Sequence, residues 1–196
     1  MTNKVALNPK LFNMPINSKQ AKSRLSKVKK GTLAMRKELW PDITDDALWL
    51  RQSSNGFTTI PRTMALFMEL INDASKHVTT GKSVPAGKSY LVLWCRVFDE
   101  AFVKIDVEAV AAKEAGYTGE RNVSTWREHL RVLKELGFVR YEQGPAGPCQ
   151  YVLLLNPYHV VKQLVSQNWV QRDTYIALLQ RANDIGATDL DITEES

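Results

Sequence analysis

Residues 102–155 read FVKIDVEAVAAKEAGYTGERNVSTWREHLRVLKELGFVRYEQGPAGPCQYVLLL. The fold turns on how this run divides. FVKI is a short extended piece. Asp106 can cap a helix, VEAVAAKEAG, in which Val107, Val110 and Ala111 share a face and which Gly116 stops. YTGERN is a turn. Asn122 or Ser124 can cap a second helix, which runs to about Leu136 and is closed by Gly137. FVRYEQ and QYVLLL then form two strand-like runs around GPAGPC, a Gly/Pro hairpin tip. Val123, Trp126, Leu130 and Leu133 line one stripe of the second helix and are expected to dock on the helices before it.

Short strand, helix, turn, helix and hairpin in succession is the layout of a winged helix-turn-helix. Residues 125–139, TWREHLRVLKELGFV, resemble the second-helix signature of winged-helix regulators such as the arsenic-responsive repressors. The matching features are the small polar pair Ser124/Thr125, the apolar Trp126, His129-Leu130, Leu133 and the exit Gly137-Phe138-Val139. Trp126 departs from the pattern, where a smaller aliphatic is usual. The resemblance covers roughly 55 residues, about a quarter of the chain.

A recognition helix needs short polar side chains near its N-terminus and arginines that reach base edges or phosphates. Ser124, Thr125, Arg127, Glu128 and Arg131 flank the apolar stripe and fit that need. Arg127 suits a bidentate contact to guanine, and Thr125 a thymine methyl. Lys134 is placed for phosphate or solvent, and Arg121 and Asn122 in the turn for the DNA backbone. Glu128 and Glu135 are at helical spacing to pair with Arg131. The hairpin adds Arg140 and Gln143, with a tip that is apolar and uncharged.

Working outward, residues 61–76 read as a helix with Pro61 in its first turn and Met64, Phe67, Met68 and Ile71 as its core stripe. TTGKSVPAGKS (79–89) repeats Gly-Lys-Ser, but the glycine required five residues before Gly87 is Lys82, so the spacing of a phosphate-binding loop fails. The reading is a loop between helices, with no nucleotide bound. SYLVLWCRVFDE (89–100) is apolar nearly all round and is expected to be a buried helix capped by Ser89. On the other side, Asn156-Pro157 opens a helix edged by Val160, Val161 and Leu164. Another follows over about 173–185, with Tyr175, Leu178, Leu179 and Ala182 on one face. These C-terminal helices either form a homodimer contact or cover the back of the domain. A wing followed by Leu-Asn-Pro and a helix also resembles the winged-helix replication proteins of some plasmids.

Charge is uneven. Residues 1–40 carry ten Lys/Arg against one acid, a net +9, whereas residues 173–196 carry −5. Such an arm suits a polyanion, through Lys19, Lys22, Arg24, Lys27, Lys29 and Lys30. Cys95 and Cys149 are far apart, and neither has a Cys or His at ligand spacing, so no metal is expected. His77, His129 and His159 form no ligand or catalytic set in the sequence. No apolar stretch approaches a membrane span.

The expectation is therefore a mainly α protein with a small β-hairpin, a winged helix-turn-helix with extra N- and C-terminal helices. It divides into a basic, partly disordered arm (1–40), a winged-helix domain with preceding helices (41–166), and a C-terminal helix with an acidic tail (167–196). It would bind double-stranded DNA in the cytoplasm, nucleoid- or plasmid-associated, without cofactor or catalysis. Its role would be transcriptional regulation of bacterial, plasmid or mobile-element genes. The alternatives are plasmid replication initiation, partition-site binding, or a winged-helix protein–protein adaptor.

Overall fold

The computed structural model describes residues 30–48, 50, 56–97 and 100–190. The expectations for residues 1–29, for most of the 52–57 loop and for the tail after residue 190 lie outside them. Two compact units are present, Met1–Asn55 and Gly56–Ser196.

In the first unit, residues 30–39 are helical (α1) and the helix stops before Trp40-Pro41, as the restriction on a residue preceding proline requires. Arg36 pairs with Asp45 at 2.5 Å, and Asp45–Ala47 forms a single 3-10 turn.

The second unit is mainly α-helical with a small antiparallel sheet of three strands. Its elements run α2 (Met64–Ala74), α3 (Gly87–Arg96), β1 (Phe102–Lys104), α4 (Glu108–Glu114), α5 (Asn122–Glu135), β2 (Val139–Gly144), β3 (Gly147–Leu154), α6 (Pro157–Ser166) and α7 (Arg172–Ile185). A 3-10 turn, Ser75–His77, extends α2. The strands lie in the order β1-β3-β2. Phe102 is opposite Leu153 and Arg140 is also opposite Leu153, so the FVKI run and the hairpin form one sheet. Residues 57–60 carry no regular structure.

The core gathers one face from each element. Trp126, Leu130 and Leu133 of α5 are fully buried, with Phe67, Leu70 and Ile71 of α2 and Tyr90 and Leu93 of α3. Tyr90 meets Phe138 edge-on at 5.3 Å and Phe67 meets Tyr158 at 5.0 Å. Val123, expected in the α5 stripe, is only half-buried. Val160, Val161 and Leu164 of α6 are buried as their spacing predicts, and Asn156 caps that helix by accepting from the Tyr158 N–H at 3.0 Å. α7 packs on α2 and buries Leu178 and Ala182, leaving Ile176 exposed.

Three caps and one face differ from expectation. α3 starts at Gly87, two residues before Ser89. Its N-terminus is served by another helix: Asn72 Oδ1 of α2 accepts from the Gly87 N–H at 2.9 Å. Only glycine allows this, because a Cβ at position 87 would lie 2.8 Å from Met68 Cα. Asp106 does not cap α4; it pairs with Lys104 at 2.9 Å and accepts from Gln150 at 3.2 Å. Nor do Asn122 and Ser124 cap α5. Arg121 holds the cap position, and Ser124 donates back to its carbonyl at 2.8 Å. On α4, Ala111 is buried as expected, but it shares the inward face with Ala112 and Glu108, while Val107 and Val110 are exposed. α4 packs on α5 with these small side chains buried, not the larger valines. Gly137 does close α5, at φ +91°.

Ser89 has a different task. Its hydroxyl lies 2.8 Å from Tyr117 Oη, which lies 2.6 Å from His129 Nδ1. The chain ties α3, the α4–α5 turn and α5 together. Burial holds the His129 imidazolium pKa below the ordinary 6.5, opposed by nearby Glu128. The folded state therefore binds fewer protons there than the unfolded chain. The stability this gives is complete above pH 6.5 and is lost as pH falls from 6.5 toward the depressed folded value. Urea unfolding at pH 7.5 and 5.5 should show wild type losing up to about 1.4 kcal/mol per pH unit more than His129→Gln. Parallel profiles would remove His129 as the cause.

Candidate nucleic-acid interface

Side-chain direction sorts the candidate residues. Along α5 the buried positions are Trp126, His129, Leu130, Val132 and Leu133. Arg121, Ser124, Arg127 and Glu128 are exposed, and Asn122, Thr125, Arg131 and Lys134 are half-buried. A groove of about 530 Å³ runs between this surface and the hairpin, lined by Val123, Ser124, Arg127, Glu128, Arg131, Tyr141, Pro148 and Cys149. Four candidate residues thus meet in one groove. Tyr141, Pro148 and Cys149 complete it and were not among the candidates. Tyr141 was within reach of the sequence, because it shares the inward parity of Val139 on β2.

The cations of the groove are engaged. Arg127 Nε donates to Glu108 Oε1 at 3.1 Å and Oε2 at 3.0 Å, and its Nη2 donates to Oε2 at 2.5 Å. The Glu108 side chain is 6% exposed and that of Arg127 is 46% exposed. The hydrogen bonds to Glu108 raise the Arg127 pKa further, so its charge is permanent. Removing Arg127 would strand a buried carboxylate. The penalty is about 2–3 kcal/mol, below the 3–5 of a fully buried pair because water reaches the open side. Arg131 differs. It bridges Glu128 at 2.6 Å and Glu135 at 2.5 Å, but all three side chains are at least 40% exposed, so these pairs contribute only about 0–1 kcal/mol each. Lys134 Nζ stands 4.3 Å over the Tyr141 ring.

Cys149 lies beneath the groove, where burial, with Glu108 nearby, pushes its thiol up to about 11. It remains a neutral, packed thiol at physiological pH. Gln150 Oε1 accepts from the Ala146 N–H at 3.1 Å, which fixes the hairpin turn.

Other candidates lie apart from this set. Arg140 pairs in register with Leu153, on the sheet face opposite Tyr141, with Leu153 between it and the exposed Phe102 of β1. Gln143 is exposed next to the bulge between Glu142 and Gly144. Among the described residues neither Arg121 nor Arg140 forms an ion pair. Lys30 is exposed on α1, and Lys19, Lys22, Arg24, Lys27 and Lys29 lie outside the described residues.

A second cavity of about 520 Å³ lies at the other end of β3, walled by Trp94, Leu154, Pro157 and Tyr158, with Glu100 and Asp189 also lining it. Among the described residues no cluster of three His, Cys, Asp or Glu could hold a metal ion, and no helix is long and apolar enough to cross a membrane. No family model, curated protein or solved structure matches the chain.

Proposed function

We propose that the chain is a winged-helix protein that binds double-stranded DNA by sequence and regulates transcription of bacterial, plasmid or mobile-element genes. One observation carries the reading. The element order α3-β1-α4-α5-β2-β3, closed by a sheet in the order β1-β3-β2, leaves the outer face of α5 open beside a hairpin. In this reading α5 enters the major groove with Ser124, Thr125 and Arg127 toward the bases. Arg131 exchanges its weak exposed glutamate pairs for phosphate oxygens, which bind arginine more strongly. The basic arm adds sequence-independent attraction, and α7, with Ile176 still exposed, is the surface through which two copies would pair.

A second reading has its own support. The glutamates around Arg127 and Arg131 and the uncharged hairpin tip make the groove less basic than a phosphate-binding surface usually is. A protein-docking winged helix accounts for that without DNA.

Binding to genomic fragments, including the region upstream of the protein's own gene, decides between them when measured with competitor at low and physiological salt. DNA reading by α5 gives a site that resists competitor. Replacing Lys19, Lys22 and Lys27 by Ala then weakens every duplex alike and lowers the salt slope by about one for each phosphate no longer neutralised. Binding that is uniform and vanishes at physiological salt would reject sequence recognition and favour the docking reading.

A further inference from the structure

We propose that Glu108 is a positioning residue for base recognition: it holds Arg127 by one edge of the guanidinium and presents the other edge to a single guanine. The inference rests on the DNA-binding reading and specifies how one of its contacts is made.

Arginine has five N–H donors in a planar fork. Glu108 occupies the side edge, formed by Nε and Nη2. The end edge remains, with both hydrogens of Nη1 and the second hydrogen of Nη2. Two parallel donors at that end match the O6 and N7 acceptors that guanine shows in the major groove. The half-exposed Arg127 lines the groove, so this end has access to a ligand there.

The grip is rigid for three reasons. The Glu108 side chain is itself buried, so water competes weakly with the arginine for its oxygens. It begins α4 while Arg127 lies in α5, so the pair spans two packed helices. The hairpin turn closes over the carboxylate: a Cβ at Gly147 would lie 3.0 Å from Glu108 Oε2. Arg131 has no comparable anchor, because both of its partners are exposed surface glutamates. The two arginines therefore divide the work, with Arg127 held still for a base and Arg131 free to follow the backbone.

The test is selection of the full-length protein on a randomised duplex library, followed by sequencing, with thermal melting of each variant alongside. Wild type should enrich a motif containing one fixed guanine. Glu108→Gln should keep the rest of the motif and relax preference at that position about tenfold. Glu108→Asp, which keeps the carboxylate but shortens its reach, should relax the same position and keeps the inference testable if Glu108→Gln does not fold; Arg127→Lys, which retains a charge for Glu108, should relax that position as well. The double variant should relax it no further. Glu108→Gln with an unchanged motif, or with all positions weakened alike, would overturn the positioning role while leaving DNA binding intact. No enrichment by wild type would overturn the DNA-binding reading and this inference with it.

Discussion

Trp126→Ala should lower the unfolding free energy by about 3–5 kcal/mol, a large share of the roughly 5–15 kcal/mol typical of a domain. Trp126 is wholly shielded from water, and it heads the buried stripe of α5 with Leu130 and Leu133. Removing the indole leaves a cavity that flanking helices cannot fill without moving α5. Trp126→Phe should be far milder, about 1–2 kcal/mol. The indole N–H is buried with no hydrogen-bond partner among the described residues, so an apolar ring surrenders volume but no hydrogen bond. Chemical denaturation of both variants checks the pair. Equal losses of stability would mean that the N–H has a partner after all, and small losses in both would mean that α5 does not pack through this residue.

The second large effect concerns the repeated Gly-Lys-Ser. Gly87→Val should destabilise by about 1–3 kcal/mol or more, because its Cβ would fall on the Met68 backbone where α3 meets α2. Lys88→Ala, at an exposed position, should change stability by less than about 0.5 kcal/mol. A phosphate-binding loop would behave differently: its lysine would matter to nucleotide binding. Here the glycine answers to helix packing; nucleotide titration of wild type and Lys88→Ala, beside the denaturation of Gly87→Val, separates these explanations. A silent Gly87→Val would mean that the α2–α3 approach is looser than the structure has it.

What could be read from the sequence follows from how far each signal reaches. Asn156-Pro157 contains its own cap and its own first-turn proline, and α6 begins where they place it. Gly137 likewise closes α5 through a local backbone requirement. The caps that failed depend on distant partners. Ser89 looked like an N-cap because Asn72, which serves Gly87 from fifteen positions earlier, is invisible to a local pattern. Of the expected α4 face, Val107, Val110 and Ala111, only Ala111 is buried; it shares the inward face with Ala112 and Glu108, because hydropathy favours the larger valines while the helix contact takes the small residues. The candidate site divides in the same way. The exposed polar positions of α5 follow from its period, so Ser124, Arg127, Glu128 and Arg131 could be named in advance. The carboxylate that holds Arg127 could not, since Glu108 is nineteen positions away on another helix and ordinarily would be assigned to solvent.

The sheet order also bears on how the protein avoids sticking to itself. β3, the longest strand, lies in the middle, with a hydrogen-bonded neighbour on each of its edges. One outer strand, β1, has only three residues, too few to template an incoming chain. The other, β2, carries Arg140 and Glu142 and is interrupted by the bulge before Gly144. A bulge twists an edge away from flat pairing, and charges penalise burial against another sheet. Exposed Phe102 and Leu153 therefore sit on a sheet whose borders resist extension into an aggregate.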